Sequence, residues 1–246
     1  MIRVQGVTDV GLVRKENQDA YAVREETASG HTICVVCDGM GGVTGGRIAS
    51  RIAVTTYLDE LEGALEASMT PEQLREASSR AVSLANRAIR DAAGASPEYT
   101  GMGTTLVSAV VYEGGAVITN VGDSRAYHIA GGSITRVTRD HSLVQNMLER
   151  GDITAEEARR HPNRNLITRA LGPDADAQCD GYICPLAAGE FLLLCTDGLV
   201  NTVTDPEMLE VVRSGQDLEG SLERLLQIAR EHGAPDNVTA VLLEVL

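Results

Sequence analysis

Four aspartates stand at the ends of short apolar segments, where a buried strand would reach the edge of its sheet. Asp38 and Asp197 each follow such a segment and precede a glycine. Asp19 opens a third segment, and Asp236 stands just before the last one. A single Asp-Gly pair is typical of a turn, but several carboxylates at one sheet edge repel one another unless cations neutralise them. The set therefore predicts an all-oxygen site for Mg²⁺ or Mn²⁺ rather than for zinc.

A glycine-rich stretch, residues 38–47, lies between one of these segments and the next predicted helix. Phosphate-binding loops occupy such positions in nucleotide-binding proteins. The Walker pattern fails because Arg47 and Ile48 stand where Lys and Ser or Thr belong, and the dinucleotide pattern fails at Thr44. We interpret the stretch as a loop whose glycines and carbonyl groups allow the backbone to approach a metal ion.

The overall charge makes a nucleic-acid partner unexpected. Acidic residues outnumber basic ones by 35 to 21, for a formal net charge of −14, and such a surface repels phosphate backbones. The first residues do not form a basic segment followed by an apolar one, and no apolar run approaches the ~20 residues that span a bilayer. We therefore expect a soluble, cytoplasmic protein that does not associate with membranes.

The cysteines are expected to be structural. Five are spread over apolar segments, and their odd number argues against a disulfide framework. Cys34 and Cys37 have the spacing of many redox and zinc sites, but they fall inside a predicted strand, in which residues three apart point to opposite faces. We interpret them as buried thiols.

Capping boxes and apolar stripes predict the helices. One box, Thr70–Gln73, carries Pro71 at the first helical position and predicts a helix that ends near Gly94. A second box begins at Thr204. Two further helices are predicted at about 47–61 and 218–233, and a short capped one at 154–157.

Short β-rich segments fill much of the remaining sequence. They are residues 20–23, 33–37, 105–112, 116–121, 125–129, 133–138, 191–196 and 238–245. Gly-Gly turns between neighbouring segments predict hairpins and hence antiparallel sheets, with the helix pairs packed on their outer faces. The polar segment 139–178 is interpreted as an insertion that lies over the surface. No linker or repeat divides the chain, so we expect a single domain over residues 1–246.

Eight short blocks in this order resemble the protein phosphatase 2C-like (PPM) family in its bacterial form. They are 14–19 (RKENQD), 38–42 (DGMGG), 102–105 (MGTT), 120–125 (NVGDSR), 139–142 (RDHS), 167–172 (ITRALG), 196–198 (TDG) and 236–239 (DNVT). Each block is short, but together they span essentially the whole chain. The resemblance implies an α+β fold, a four-layer α-β-β-α sandwich of two antiparallel sheets flanked by helix pairs, with residues 139–178 as a flap beside the active site.

The resemblance also implies a centre of two Mn²⁺ or Mg²⁺ ions. In it Asp38 bridges both ions, Asp197 and Asp236 complete one of them, and the carbonyl of Gly39 binds the other. Asp19 would hold metal-bound water or a metal directly. A third, weaker metal site is implied at Asp123 together with Asp197.

The implied enzyme is a metal-dependent protein-serine/threonine phosphatase, a phosphoric monoester hydrolase. A metal-bridging hydroxide would attack phosphorus, while Arg14 clamps the substrate phosphate with its bidentate fork. Asp38 and Arg14 are thus the expected catalytic residues. The implied partners are phosphorylated proteins and an opposing serine/threonine kinase in bacterial signalling, and a monomer is expected.

Five positions depart from the family's pattern. Gln18 stands where many relatives have Glu, which removes a carboxylate near the second metal. Met40 stands where many animal and plant members have a His that protonates the leaving group, so metal-bound water is the expected donor. Val43 replaces a His common in bacterial members, and Arg47 replaces a common acidic residue. Asn201 stands where Asp is frequent, so the third metal site is expected to be weak.

Two histidines and two rival functions complete the sequence-based hypotheses. His141 and His161 are interpreted as residues that stabilise the fold or the flap rather than as proton donors. A non-catalytic phosphoprotein-binding domain on the same fold is disfavoured because Arg14 and the aspartates of the main centre are all present. A phosphatase of nucleotides or small phosphoesters would share the metal centre, and the sequence does not separate it from a protein phosphatase.

Overall fold

The computed structural model describes residues 1–42, 44–215 and 217–246. In this part of the chain, antiparallel pairing joins the strands into two sheets. The strands are β1 (Ile2–Asp9), β2 (Asp19–Arg24), β3 (Thr32–Met40), β4 (Gly103–Thr104), β5 (Leu106–Tyr112), β6 (Gly115–Val121), β7 (Arg125–Ala130), β8 (Ser133–Arg136), β9 (Asp180–Pro185), β10 (Phe191–Cys195) and β11 (Val238–Val245).

One sheet has the order β1-β11-β10-β7-β8, and the other has the order β2-β3-β5-β6-β9 with β4 paired to β3. All pairings are antiparallel, as the Gly-Gly turns predict. β1 pairs with β11 along its whole length, so the two ends of the chain lie side by side at one edge of the first sheet.

Two groups of helices cover the outer faces of the two sheets, and two short helices lie in the segment 139–178. The helices are α1 (Gly45–Ala64), α2 (Pro71–Ala95), α3 (Leu143–Arg150), α4 (Ala155–Arg160), α5 (Asp197–Val200), α6 (Asp205–Arg213) and α7 (Leu218–Glu231), with a 3₁₀ turn at Pro97–Tyr99. α1 and α2 share a core with the second sheet, and α5–α7 share a core with the first. A third core fills the space between the sheets. The four-layer α-β-β-α arrangement is therefore confirmed.

Alternate side chains along β3 belong to different hydrophobic cores. Ile33, Val35 and Cys37 of β3 pack under the helices, whereas Cys34 and Val36 pack between the sheets. This is the period of two expected for a strand buried on both faces. All five cysteines are free, and the prediction that Cys34 and Cys37 are buried on opposite faces is confirmed. None of the helices in the described residues has the length and apolar character needed to cross a membrane.

The capping boxes begin helices where they were predicted. The hydroxyl of Thr70 accepts the N–H of Gln73, and the Gln73 side chain accepts the N–H of Thr70. Thr154 forms the same reciprocal pair with Glu157, and at the third box the Glu207 carboxylate accepts the N–H of Thr204. Each box satisfies N–H groups that the first turn of a helix leaves without partners.

The interpretation of residues 139–178 as a surface insertion is correct for its middle and wrong for its ends. Asp140, His141 and Leu171 are buried, because both ends of the segment return to the sheet edge. Thr104 pairs with Leu171, and Ser142 pairs with Ile167. The segment is thus anchored at its base, and only α3, α4 and the turns between them project outward. The prediction also missed α3, together with β1, β4, β9 and α5.

Candidate metal centre

The predicted ligands meet because strand ends from both sheets reach the same edge. Asp19 on β2 lies opposite Asp38 on β3 in the antiparallel register. Asp197 begins α5 directly after β10, and Asp236 precedes β11, the strand that pairs with β10. These ends surround a cavity of about 500 Å³. Its lining includes the predicted residues Arg14, Asp38, Gly39, Asp123, Asp197 and Asp236.

Asp19 lies beneath the cavity and is only 8% exposed. Its Oδ2 accepts hydrogen bonds from the hydroxyls of Thr196 at 2.9 Å and Thr239 at 2.7 Å. Its Oδ1 is buried without a hydrogen-bond partner. Burial raises the pKa of Asp19 to about 7, although the two hydroxyls oppose this shift. A buried carboxylate oxygen without a partner is costly, and a metal ion or its bound water would satisfy it.

The carboxyl groups that line the cavity share this environment. Burial, followed by the charges of Asp19 and Asp197, raises the pKa of Asp38 well above its usual range. Burial and the charge of Asp197 raise the pKa of Asp123 to about 8. The pKa of Asp197 is also raised by burial and by the charge of Asp236, while hydrogen bonds with Asp38 and Asn201 partly offset the rise. Without cations, these groups therefore hold protons at pH values where an ordinary aspartate is ionised.

The donor set suits a hard, oxygen-loving cation. Within the described residues, no three His, Cys, Asp or Glu side chains form a closed cluster around one point, so main-chain oxygens and water would complete any coordination sphere. Mg²⁺ retains several of its waters and is usually held through one or two carboxylates. The raised pKa values of the aspartates and the unpartnered oxygen of Asp19 also fit a site that binds a cation.

Glycines follow two of the aspartates because other backbone segments approach too closely for a side chain. A Cβ at Gly39 would lie 2.0 Å from the carbonyl oxygen of Gly46 and 2.5 Å from that of Gln18. A Cβ at Gly198 would lie 1.9 Å from the carbonyl oxygen of Asn237. The two Asp-Gly pairs are therefore close-packing points at the site as well as bends of the chain.

Arg14 lies at the rim with its side chain 56% exposed. Its guanidinium donates a 2.7 Å hydrogen bond to Oδ2 of Asp236. The structure thus joins the predicted phosphate clamp directly to a predicted metal ligand.

Several residues that support the site were not identified as functional from the sequence, although they belong to the short blocks. The hydroxyl of Thr105 accepts the N–H of Asp38 at 2.9 Å and lies 2.7 Å from the hydroxyl of Ser124, the neighbour of Asp123. Thr196 and Thr239 hold Asp19 as described above. The threonines inside the MGTT and DNVT blocks could have pointed to these supporting residues. The blocks do not show which aspartate each hydroxyl contacts.

The histidines do not line the cavity. His141 is 1% exposed, and its Nδ1 accepts the N–H of Gly122 at 3.1 Å. Its Nε2 lies 3.3 Å from a carboxylate oxygen of Asp180, and burial lowers its pKa. The prediction that His141 is a buried residue is therefore confirmed, and its role in stabilising the base of the flap stays a prediction. The Nδ1 of His161 accepts the N–H of Asn163 within the flap itself.

The departures from the family pattern have clear positions. Gln18 and Met40 line the cavity. Asn201 donates a 3.1 Å hydrogen bond to Asp197, and Arg47 lies in the first turn of α1. The departure at Val43 lies outside the described residues.

Comparisons with known proteins agree with this geometry. The sequence profile of the family described as Protein phosphatase 2C matches residues 13–244. The serine/threonine phosphatase stp of Listeria monocytogenes is 36% identical over 96% of this chain and 93% of its own. The structure of the serine/threonine phosphatase Stp1 from Staphylococcus aureus superposes with a TM-score of 0.91 at 36% identity, covering 100% of this chain and 96% of that one.

A further solved structure, the catalytic domain of the serine threonine protein phosphatase PstP in complex with two manganese ions, superposes with a TM-score of 0.83 at 31% identity. It covers 100% of this chain and 98% of that one. The fold and the carboxylate-lined cavity place this chain in the class of metal-dependent phosphatases that are built on two stacked sheets. The chain belongs to the protein phosphatase 2C family. Its activity is the metal-dependent dephosphorylation of serine and threonine residues in proteins.

Proposed function

We propose that Asp38, Asp197 and Asp236 hold two Mn²⁺ or Mg²⁺ ions at this cavity, with the carbonyl of Gly39 as a further ligand. Asp38 would bridge the two ions. The observation that carries the proposal is the excess of buried carboxylate. Among the described residues, Asp236 is the one aspartate of this centre with a salt bridge, while Asp19, Asp38, Asp123 and Asp197 have raised pKa values.

Asp19 and Asp123 extend the centre. The unpartnered Oδ1 of Asp19 would accept a hydrogen bond from metal-bound water or bind an ion directly. Asp123 with Asp197 would form a third, weaker site. It is weakened because position 201 supplies an amide that donates to Asp197 rather than a carboxylate. The bound ions supply an activated water and neutralise charge on the phosphoryl group.

The protein groups then orient the substrate. One nitrogen of Arg14 donates a hydrogen bond to Asp236, and its remaining N–H groups would bind the phosphoryl oxygens. A guanidinium binds phosphate through two parallel hydrogen bonds, which fixes direction as well as distance. Met40 lines the cavity but has no proton to donate to the leaving serine or threonine oxygen. Water inside the cavity would therefore supply that proton.

The shape of the surface favours a polypeptide substrate over a nucleotide. A second cavity of about 700 Å³ shares Asp123, Asn165 and Asp197 with the first. It runs between the flap helices α3 and α4 and the start of α6. Residues on one side of a phosphorylated serine or threonine would have room there, whereas a small phosphoester would leave it empty. A serine/threonine kinase that produces such substrates is the corresponding partner.

The chain is also proposed to form one phosphatase domain over residues 1–246, supported by the pairing of β1 with β11. The monomeric state and the cytoplasmic location stay predictions.

Turnover with and without chelator tests the metal centre. We expect hydrolysis of a phosphothreonine peptide to require millimolar-range Mn²⁺ or Mg²⁺ and to stop on exhaustive chelation. Asp38→Asn should abolish calorimetric Mn²⁺ binding at the main centre. Asp59→Asn, on the exposed face of α1, should leave both binding and turnover unchanged. Full activity after chelation would rule the mechanism out, and faster turnover of ATP than of the peptide would favour the small-phosphoester function.

A further inference from the structure

The side chain of Asn237 fastens the loop 10–18 to the start of β11. Its Nδ2 donates to the carbonyl oxygens of Val10 at 2.9 Å and Glu16 at 3.0 Å. Its Oδ1 accepts the N–H of Gln18 at 2.8 Å. Since two of these partners only accept and one only donates, a single orientation of the amide satisfies all three. The residue is 6% exposed, so water does not readily replace these bonds.

The fastened loop is the one that carries Arg14. The three bonds from Asn237 reach the loop on both sides of Arg14, and the Arg14 guanidinium bonds to the residue just before Asn237. Gly11, with a φ of +77°, presses against the same segment, because a Cβ there would lie 2.2 Å from the carbonyl oxygen of Asp236. The loop and the Asp236–Asn237 segment therefore form one packed unit at the rim of the cavity.

We propose that Asn237 is a positioning residue, which fixes the loop 10–18 so that Arg14 points at the substrate phosphate. The proposal rests on the proposed role of Arg14. Other contacts hold parts of the loop, since Leu12 N–H donates to the carbonyl of Ala234 and the hydroxyl of Ser50 donates to the carbonyl of Gln18. Loss of Asn237 should therefore let the loop move without unfolding the protein.

Asn86 on α2 provides a matched control. It is 2% exposed, and its Nδ2 donates to the carbonyl oxygens of Asp174 at 3.0 Å and Ala175 at 3.1 Å. Its Oδ1 accepts the N–H of Gly172 at 2.7 Å. Number, type and burial of the bonds are the same as for Asn237, but the segment that Asn86 holds carries none of the proposed ligands or the phosphate clamp.

The experiment compares Asn237→Ala with Asn86→Ala, each alone and combined with Arg14→Ala. Steady-state kinetics on a phosphothreonine peptide and calorimetric Mn²⁺ titration are the readouts. We expect Asn237→Ala to lower kcat/KM by roughly 3- to 10-fold, mainly through KM, because misplacing a group costs activity and a residue that acts through Arg14 costs no more than the loss of Arg14 itself. In the Arg14→Ala background, the same change should cost less than about twofold, since coupled groups are not additive. Mn²⁺ affinity should stay within about twofold, and Asn86→Ala should change kcat/KM by less than about threefold.

The outcomes separate the two proposals. If Arg14→Ala itself leaves KM and kcat unchanged, the phosphate-clamp role of Arg14 is wrong, and the role of Asn237 falls with it. If Arg14→Ala has its effect but the effect of Asn237→Ala multiplies with it, Arg14 keeps its role and the role of Asn237 is overturned. The same holds if Asn237→Ala mainly lowers Mn²⁺ affinity, because Asn237 would then act through Asp236.

A measurement on the unaltered, metal-free protein covers the case in which Asn237→Ala does not fold. The Gln18 amide, which the proposal holds on Asn237, should exchange its hydrogen at least about tenfold more slowly than the same amide in an open loop. Asn237→Ser, which removes less volume, should release this protection while far-ultraviolet circular dichroism stays unchanged. Exchange at the open-loop rate in the unaltered protein would overturn the proposal.

Discussion

The cavity and the base of the flap both bury aspartates, but among the described residues only the buried aspartate at the flap base is paired with arginines. Asp140, at the base of the flap, is 6% exposed and receives Arg125 through three hydrogen bonds of 2.7 to 3.2 Å and Arg136 at 3.3 Å. Asp19, beneath the cavity, is 8% exposed and receives only two hydroxyls on one oxygen. Burial of a carboxylate does not by itself mark a metal site; the lack of a matching arginine does.

This difference follows from the energetics of buried charge. A carboxylate removed from water stays ionised when a guanidinium compensates it, and otherwise takes up a proton or a metal ion. Because the pKa is raised to about 7 for Asp19 and about 8 for Asp123, we expect these groups to take up protons when no metal is bound. At the flap base the folded chain itself compensates the carboxylate charge. At the cavity, protons or metal ions from solution compensate it. Four experiments test this comparison, beginning with the largest expected effect.

Asp140→Asn should destabilise the protein strongly. It removes the charge that compensates Arg125, and breaking a buried ion pair in this way costs about 3–5 kcal/mol. Chemical denaturation followed by circular dichroism would measure the loss in the free energy of unfolding. A loss below about 1 kcal/mol, the range of exposed pairs, would show that the arginines at the flap base do not need the Asp140 carboxylate to compensate them.

Asp197→Asn should lower activity strongly and leave the stability of the fold intact. We expect kcat to fall by roughly two orders of magnitude, or about 2.7 kcal/mol, because the variant loses a charge that acts in the transition state. The metal-free variant should be at least as stable as the unaltered protein, since carboxylate repulsion is relieved. Near-normal kcat in the purified, folded variant would show that Asp197 serves only the turn into α5.

Arg14→Ala should have an intermediate effect on catalysis. Loss of the phosphate contact should raise KM, and lower kcat as far as the contact tightens in the transition state, for a loss in kcat/KM of about tenfold, or about 1.4 kcal/mol. Arg14→Lys should restore only part, because an ammonium cannot make the two-pronged contact. Mn²⁺ binding, followed by calorimetry, should not weaken, because the change removes a cation from beside Asp236. Weaker Mn²⁺ binding with an unchanged KM would contradict the assignment.

The pH dependence of metal-free stability should be the smallest effect. A carboxyl with a higher pKa in the folded than in the unfolded chain stabilises the fold fully below about pH 4, and this contribution is lost as the pH rises through the folded value. The folded values are about 7 for Asp19 and about 8 for Asp123. The free energy gained on adding Mn²⁺ should therefore grow between pH 5 and pH 8, on the order of 1 kcal/mol after allowing for solvent in the open cavity.

Unfolding curves with and without Mn²⁺ at the two pH values would measure this growth. Asp123→Asn should show a shallower pH dependence in the metal-free state. A gain on adding Mn²⁺ that is the same at pH 5 and pH 8 would mean that protons and metal ions do not compete at the cavity.

Elements with strong local signals could be predicted from the sequence, and those shaped by distant partners could not. The capping box at Thr70 begins α2 as predicted, because its bonds lie within one turn. β1 was missed because Gly6 interrupts its alternating pattern. A Cβ at Gly6 would lie 2.2 Å from the ring of Tyr21, whose hydroxyl donates to the Gly6 carbonyl. That contact comes from β2 in the other sheet and leaves no trace in the residues around Gly6.

The α3 helix had a signal that the prediction did not use. Ser142 caps it by accepting the N–H of Gln145, and Gly151 ends it in a left-handed conformation. Its apolar residues also have the spacing of a helical stripe, although none of the helix residues is fully buried. They are Leu143, Val144, Met147 and Leu148. The polar composition of the segment led to its interpretation as a surface insertion.

The sequence by itself determined which residue types were present and in what order. Aspartates next to strand ends, glycines after two of them and eight ordered blocks were enough to indicate the family, the fold and the kind of metal. These features are readable because each depends on neighbours within a few residues.

Only the tertiary structure decided how these residues act on one another. Arg14 meets Asp236 across 222 positions of sequence, and Thr196 and Thr239 reach Asp19 across 177 and 220. Hydrogen bonds and charge interactions depend on distances of a few ångströms, and packing of the two sheets sets those distances. For this reason the sequence was enough to predict a metal centre. It did not reveal that one oxygen of Asp19 has no hydrogen-bond partner or that Asn237 holds the loop of Arg14.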